Sequence, residues 1–406
     1  MTIENFIRDA LYKPNDYIAY HVGRELAELY PGKTVLEGRN CYFDLEEFVC
    51  AEKCSVIEEK SIFHHVKTEW MGLGKPQREQ VENSWLNVLW KGQLLDVIFM
   101  TWTEDGYRWR HHWIVAEEKK LAEDFFDAVC EWSCEVRGEI LVFQEGYFDK
   151  NKELFESIKS STFDNLVLPP PLKTEIQNDF AQFFDSREVY ERYGIPWKRG
   201  AIFIGPPGNG KTHTLKALIN QLGKPCLYVR TFKSQHGTEQ ENMAEVFKRA
   251  RMSPCIVVLE DLDSMIDGQN RSFFLNELDG FQTNTGVVVL ATTNHPAKLD
   301  PSILDRPSRF DRKYHFNLPA GAERLAYINK WNGELQADLQ VSEKGAAQVV
   351  AATEGFSFAY LKELFVASMV QWMSEDRSKP MDQVLLAQTE LLRKQMKNQN
   401  VEEAKN

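Results

Sequence analysis

The sequence predicts an α/β architecture: a parallel sheet between helices at the centre of the chain, a small helical lid after it, and a separate α+β N-terminal domain before it. Three observations carry that reading. RGAIFIG, KPCLYVR, CIVVLED and GVVVLATTN are short apolar runs separated by helix-length segments such as EQENMAEVFKRARM. Strands that are apolar throughout, instead of alternating, are strands covered on both faces. GPPGNGKT, from Gly205 to Thr212, stands between the strand-like AIFI and the helix-like HTLKALINQL. From about residue 320 the strand-like runs stop, and GAERLAYINKWN, EKGAAQVVAATEG, SFAYLKELFVASMVQWMSED and MDQVLLAQTELLRKQMKNQ read as helices.

Taken in chain order, residues 1–160 form the first expected domain. QLLDVIFMTW and YRWRHHWIVA flank TEDG and read as a β-hairpin around an Asp-Gly turn. In the second strand Tyr107, Trp109, His111, Trp113 and Val115 share one face, and Arg108, Arg110, His112 and Ile114 the other. The first face is a core wall or an aromatic protein-binding surface. KKLAEDFFDAVCEWSCEV follows as an amphipathic helix. Cys50 and Cys54, and likewise Cys130 and Cys134, would each share a helix face if their segments are helical, in a region that also holds His64, His65, His111 and His112. The spacing is not of the CxxC type, so buried apolar cysteines and ordinary histidines compete with a zinc site.

Pro169, Pro170 and Pro171 mark the boundary as a rigid extended passage, because proline continues neither a helix nor a central strand. The α/β domain is then expected over 161–319, opening with the helical KTEIQNDFAQFFDSREVYERYG, and the lid and tail over 320–406.

A chain of 406 residues with 43% hydrophobic and 27% charged residues has room for two or three cores. A net charge of −12 argues against a general nucleic-acid binder. No apolar run approaches the roughly 20 residues of a membrane span, and MTIENFIRDALYKPNDY lacks the charged and apolar segments of a leader. Seven cysteines, an odd and small number, fit a reducing compartment, so the expected location is the cytoplasm.

GPPGNGKT is the full GxxxxGK[ST] pattern in its strand, loop and helix context. Its backbone N–H groups and the following helix N-terminus would cradle phosphates, with Gly205, Pro206, Pro207, Gly208, Asn209, Gly210 and His213 beside them. Lys211 would reach the β and γ phosphates of ATP, and Thr212 would ligate magnesium. Glu260 and Asp261 end the next apolar run, where a neighbouring parallel strand delivers them to the same sheet edge. One carboxylate would hold magnesium and the other orient or deprotonate the attacking water. Asp263 could add charge or cap a helix. Asn294 is a candidate γ-phosphate sensor, or else a turn-former before Pro296. Arg306 and Arg309 are arginine fingers for a neighbouring subunit's nucleotide, or else ordinary surface ion pairs.

GPPGNGKT, LEDLDS, ATTNHPAKLDPSILDRPSRFD and GFSFAYLKEL, in that order, make residues 161 to about 375 resemble the AAA ATPases. STFDNLVLP, YERYGIPWKRGAIFIGPPGNGKT and the Glu-Asp order of LEDLD look most like the Bcs1-type branch and its soluble bacterial relatives. The resemblance implies an AAA+ P-loop domain in which Glu260 is the magnesium-associated acid, Asp261 the catalytic acid, Asn294 sensor 1, and Arg306 and Arg309 the fingers. It implies that Asp164, Leu166, Gly194 and Ile195 enclose adenine and that Gly355 to Ala359 touch adenine or ribose. It also implies a homo-oligomeric ring, hexameric or heptameric. Gln235 and His236 replace the aromatic-aliphatic pair expected in the pore loop, with Phe232 and Lys233 nearby as substitutes.

The function that follows is an ATP-hydrolysing ring that remodels or translocates a protein target chosen by the N-terminal domain. A nucleotide-gated scaffold and a nucleic-acid motor are the alternatives, the acidic balance disfavouring the last. The swapped acids keep a carboxylate at each position, so hydrolysis remains chemically possible with a compensating shift of about 1 Å; a disabled site is the competing reading.

Overall fold

The computed structural model describes all residues except 1–4, 40–42, 61–63, 71–76, 105–106, 135–138, 236, 280–284, 307, 375–378 and 404–406. It divides into two compact units, Met1–Glu135 and Val136–Asn406. Residues 136–160, read from sequence with the N-terminal region, thus fall with the second unit.

The first unit contains α1 (Phe6–Leu11), α2 (Asn15–Leu29), β1 (Thr34–Gly38), α3 (Leu45–Cys50), β2 (Ser55–Glu59), β3 (His65–Glu69), β4 (Arg78–Trp90), β5 (Gln93–Glu104), β6 (Tyr107–Ala116) and α4 (Lys119–Cys134). Its antiparallel sheet runs β1-β6-β5-β4-β2, with β3 also on β4. β5 and β6 form the expected hairpin, pairing Glu104 with Tyr107; the Asp-Gly turn lies outside the described residues. Both sheet faces are covered. Trp85, Ile98, Trp113 and Val115 pack with α1 and α2, while Val97, Phe99 and Ile114 pack with α3 and α4. On the opposite face His112 and Ile114 are buried while Arg108 is exposed, and the expected core wall holds for His111, Trp113 and Val115. Trp109 departs from it, half-exposed beneath the Arg39 guanidinium at 4.1 Å.

Helix α3 stops at Cys50, and Cys54 lies in the turn before β2, so these two share no helix face. Among the described residues no group of three or more His, Cys, Asp or Glu could hold a metal ion, and no helix is long and apolar enough to cross a membrane.

The second unit begins with β7 (Ile140–Gln144), β8 (Tyr147–Asn151), α5 (Lys152–Lys159), α6 (Pro170–Ala181) and α7 (Arg187–Arg192). It continues through β9 (Lys198–Ile204), α8 (Lys211–Leu222), β10 (Cys226–Val229), α9 (Glu239–Ala250), β11 (Cys255–Leu259), α10 (Leu262–Met265), α11 (Arg271–Asp279), β12 (Val287–Thr293), α12 (Pro301–Leu304) and β13 (Arg312–His315). The sheet order is β13-β9-β12-β11-β10-β7-β8, parallel throughout except at β7/β8. Its apolar strands are sandwiched as their sequence demands. α6 and α8 cover one face with Ile176, Phe180, Leu215 and Leu218; α9 and α11 cover the other with Met243, Phe247 and Phe274.

The prolines do not form an extended passage. Pro170 and Pro171 open α6, since the first helical turn has no acceptor for their missing N–H groups. β13 and the β7/β8 hairpin are additions to the expected strands. α13 (Gly321–Glu334), α14 (Glu343–Ala352), α15 (Phe358–Ser374) and α16 (Met381–Glu403) then form the expected helical lid, with Trp331 stacked on Phe365 at 5.2 Å in its core.

Candidate functional site

The 205–212 loop turns from β9 into α8. Gly210 takes the N-cap position at φ +89° and Gly208 sits at φ +78°, left-handed conformations that a side chain disfavours. Gly208 also has no room: a Cβ there would meet the Ala359 Cβ at 2.7 Å and the Ser357 Oγ at 2.9 Å. That closeness lets the Ala359 N–H donate to the Gly208 carbonyl at 3.0 Å, tying the start of α15 to the loop.

Between them opens a cavity of about 440 Å³, lined by Leu166, Lys211, Thr212, Asp261, Asn294 and Ala359 among others. Pro207, Gly208, Gly210 and His213 line it too. Buried Lys211 donates from Nζ to the Gly205 carbonyl at 2.6 Å and the Pro206 carbonyl at 2.9 Å. Burial lowers its pKa, while Asp261, Asp263 and Glu260 pull it back up. Asn209 is buried behind the loop, its amide reaching the Pro206 carbonyl at 3.3 Å. Burial likewise lowers His213, aided by Lys330, Lys216 and Lys362.

The two acids occupy different environments. Glu260 follows β11 directly; burial raises its pKa, and the Thr212 hydroxyl beside it acts in the opposite direction. The Tyr228 hydroxyl donates to its Oε2, whereas its buried Oε1 has no hydrogen-bond partner among the described residues. Asp261 faces the cavity from a left-handed backbone at φ +51°, rare for a residue with a side chain. That turn is held by its own N–H donating to the Thr292 Oγ1 at 2.9 Å, and its Oδ1 accepts from the Asn294 amide at 2.8 Å. Asp263 instead accepts from the Thr293 hydroxyl at 2.6 Å. The strand ends of β11 and β12 thus bring Asp261 and Asn294 together, as their sequence positions suggested.

Other candidates lie apart. Arg306 and Arg309 do not line the cavity; both pair with Asp279, Arg309 with Nε at 3.0 Å and Nη2 at 2.7 Å and Arg306 with Nη1 at 3.1 Å. Of the expected adenine segments Leu166 and Ala359 reach the cavity, while Asp164, Gly194, Ile195 and Gly355 do not line it. The Asp164 side chain is 97% exposed beside Lys173, and Ile195 is exposed. Phe358, inside the expected 355–359 segment, lines it as well, whereas Val167, Tyr327 and Lys362 line it and were missed. Tyr327 carried no signal in the sequence, because α13 meets α15 only in the folded lid, with the Tyr327 and Phe358 rings 5.4 Å apart.

The pore-loop substitute is corrected. Phe232 is 1% exposed in the core with Val229 and Met243, and its carbonyl accepts from the Asn242 amide at 2.8 Å, so its ring is unavailable to a passing chain. Lys233 and Gln235 are exposed, and His236 lies outside the described residues.

Residues 201–318 match the family model for the ATPase family associated with various cellular activities (AAA). The chain is 36% identical over 215 residues to an ATP-dependent zinc metalloprotease FtsH of Acidothermus cellulolyticus, covering 48% of this chain and 31% of that protein. It is 31% identical over 241 residues to FtsH of Caulobacter vibrioides, covering 53% and 37%. It is also 31% identical over 191 residues to an uncharacterised AAA domain-containing protein of Schizosaccharomyces pombe, covering 44% and 24%. The chain therefore spans well under half the length of these relatives. These matches are to FtsH-type proteins and correct the Bcs1-type reading: similarity summed over 215 residues outweighs the three short segments on which that reading rested. The second unit has an AAA+-type α/β fold, and its AAA ATPase domain supports ATP hydrolysis.

Proposed function

We propose that this chain works as an ATP-driven remodeller of a protein target, assembling as a homo-oligomeric ring, hexameric or heptameric, with the first unit selecting the target. The observation that carries the reading is the cavity in which Lys211, Asp261 and Asn294 converge against a lid tied to the phosphate loop. Relatives whose names state ATP-dependent proteolysis make a protein target the favoured class. No HExxH motif occurs in these 406 residues, so zinc protease chemistry is not part of the proposal.

ATP would enter with its phosphates along the 205–212 backbone and Lys211 against the β and γ groups. Thr212 and Glu260 would hold magnesium, which would neutralise the phosphate charge; the buried, unpartnered Glu260 Oε1 fits that role. Asp261 would take the proton of the attacking water, steadied by Asn294, which would also sense the γ phosphate. Arg306 and Arg309, lying away from their own chain's cavity, would serve a neighbouring copy's nucleotide. Closure of the lid would carry each turnover to the ring. The proposed setting is the cytoplasm, in keeping with the free buried Cys226 and Cys255.

Asp261→Asn tests the chemistry. Hydrolysis should fall by roughly 10² to 10⁴, while ATP binding and capture of the target persist. A variant that keeps wild-type turnover would remove Asp261 from the mechanism.

A further inference from the structure

Tyr228 has no part in the chemistry described so far, yet its hydroxyl ends on the Glu260 carboxylate. The register explains how. Tyr228 of β10 pairs with Val258 of β11 in a parallel ladder, so both side chains point to the same face, and Glu260, two residues on, points there as well. The diagonal neighbour across two strands lies within reach of a long side chain. That face is the one covered by α8, where Val258, Val142 and Leu218 pack and Tyr228 lies against them. Thr212, in the first turn of α8, lies beside the Glu260 carboxyl.

We infer that Tyr228 is a positioning residue: its hydroxyl fixes Glu260 Oε2 so that Oε1 is presented toward Thr212 as the acidic half of a divalent-cation site. This rests on the ATPase reading above. Three observations support it together. One carboxylate oxygen is occupied by a phenol and the other is buried with no hydrogen-bond partner among the described residues. Glutamate at this position has one more rotatable bond than aspartate, so its free oxygen needs an external restraint to hold one direction. No cationic side chain is hydrogen-bonded to Glu260 among the described residues, since Lys211 is committed to loop carbonyls and Lys216 to the Ser157 hydroxyl. Partners of this kind, which orient a metal ligand without touching the metal, typically alter metal affinity by 10- to 100-fold when removed.

The test uses the full chain, ATP and Mn²⁺ as a spectroscopic substitute for Mg²⁺. ATP affinity is measured in EDTA and with saturating Mn²⁺, and bound Mn²⁺ is followed by its paramagnetic resonance. Tyr228→Phe, which removes only the oxygen, should leave metal-free ATP affinity within about twofold and weaken Mn²⁺ binding to the ATP complex roughly tenfold. Glu260→Gln should weaken it further, and adding Tyr228→Phe to Glu260→Gln should change nothing more, because the hydroxyl acts through that carboxylate. Unchanged Mn²⁺ affinity in Tyr228→Phe, an equal loss in EDTA, or additive losses in the double variant would each overturn the inference and leave the ATPase reading standing. A wild-type chain that shows no Mn²⁺-dependent ATP binding overturns both.

Discussion

Comparing Asp279→Ala with Arg306→Ala separates a buried ion pair from an exposed one, since Asp279 is the partner of both Arg309 and Arg306. Arg309 forks onto Asp279 through Nε and Nη2, and its side chain is only 6% exposed; Arg306 makes one contact at 3.1 Å with 64% of its side chain in solvent. Taking one partner from a buried pair costs about 3–5 kcal/mol, because the remaining charge is stranded. Asp279 is itself 29% exposed, and Arg309 keeps its bond to the Ser302 carbonyl, so the expected loss for Asp279→Ala is about 2–3 kcal/mol. Arg306→Ala breaks an exposed pair of about 0–1 kcal/mol. At roughly 2–4 °C per kcal/mol for a unit of this size, calorimetry should show the second unit melting about 4–12 °C lower in Asp279→Ala and at most about 4 °C lower in Arg306→Ala. The pH dependence has a definite sign. Hydrogen bonding to Arg309 holds the Asp279 carboxyl below its usual value, so its contribution is complete above the unfolded value near 3.9. As pH falls through the lowered folded value that contribution disappears, and wild type and Asp279→Ala converge. Equal melting shifts for the two variants at neutral pH would refute the burial argument.

Two other outcomes are expected. Phe232→Ala should destabilise the second unit by about 3–5 kcal/mol, whereas Lys233→Ala stays within about 0.5 kcal/mol, as denaturant titration will show. In the first unit burial pushes His112 down to about 3 and His111 to about 4, so both fold as neutral rings. Stability there should decline as pH falls from about 6.5 toward those values, and His112→Phe should flatten the decline measured by acid titration of tryptophan fluorescence.

Much of the second unit was readable because its information is local. Gly205 to Thr212 demand a particular loop, and four continuous apolar runs demand covered strands; both appear, with Asp261 and Asn294 at adjacent strand ends. β13 was not readable, since RKYH has no apolar run and becomes a strand only by pairing with β9. Pro170 misled for a different reason: the same residue that breaks a helix interior suits its first turn, and the position of that turn depends on what packs behind it. The branch was misjudged because STFDNLVLP, YERYGIPWKRGAIFIGPPGNGKT and LEDLD are short local segments, while similarity is distributed over 215 residues.

Residue chemistry alone determines that a phosphate loop, two carboxylates and a polar strand end exist in this order, because each needs only a few neighbours in sequence. Distant contact decides the rest. Phe232 is core and not pore because α9 packs over it, Tyr327 reaches the cavity because the lid folds α13 against α15, and Tyr228 finds Glu260 because β10 and β11 share one register. Those facts depend on which segments meet, and segments far apart in the chain meet only once burial of their apolar faces has outweighed the entropy of bringing them together.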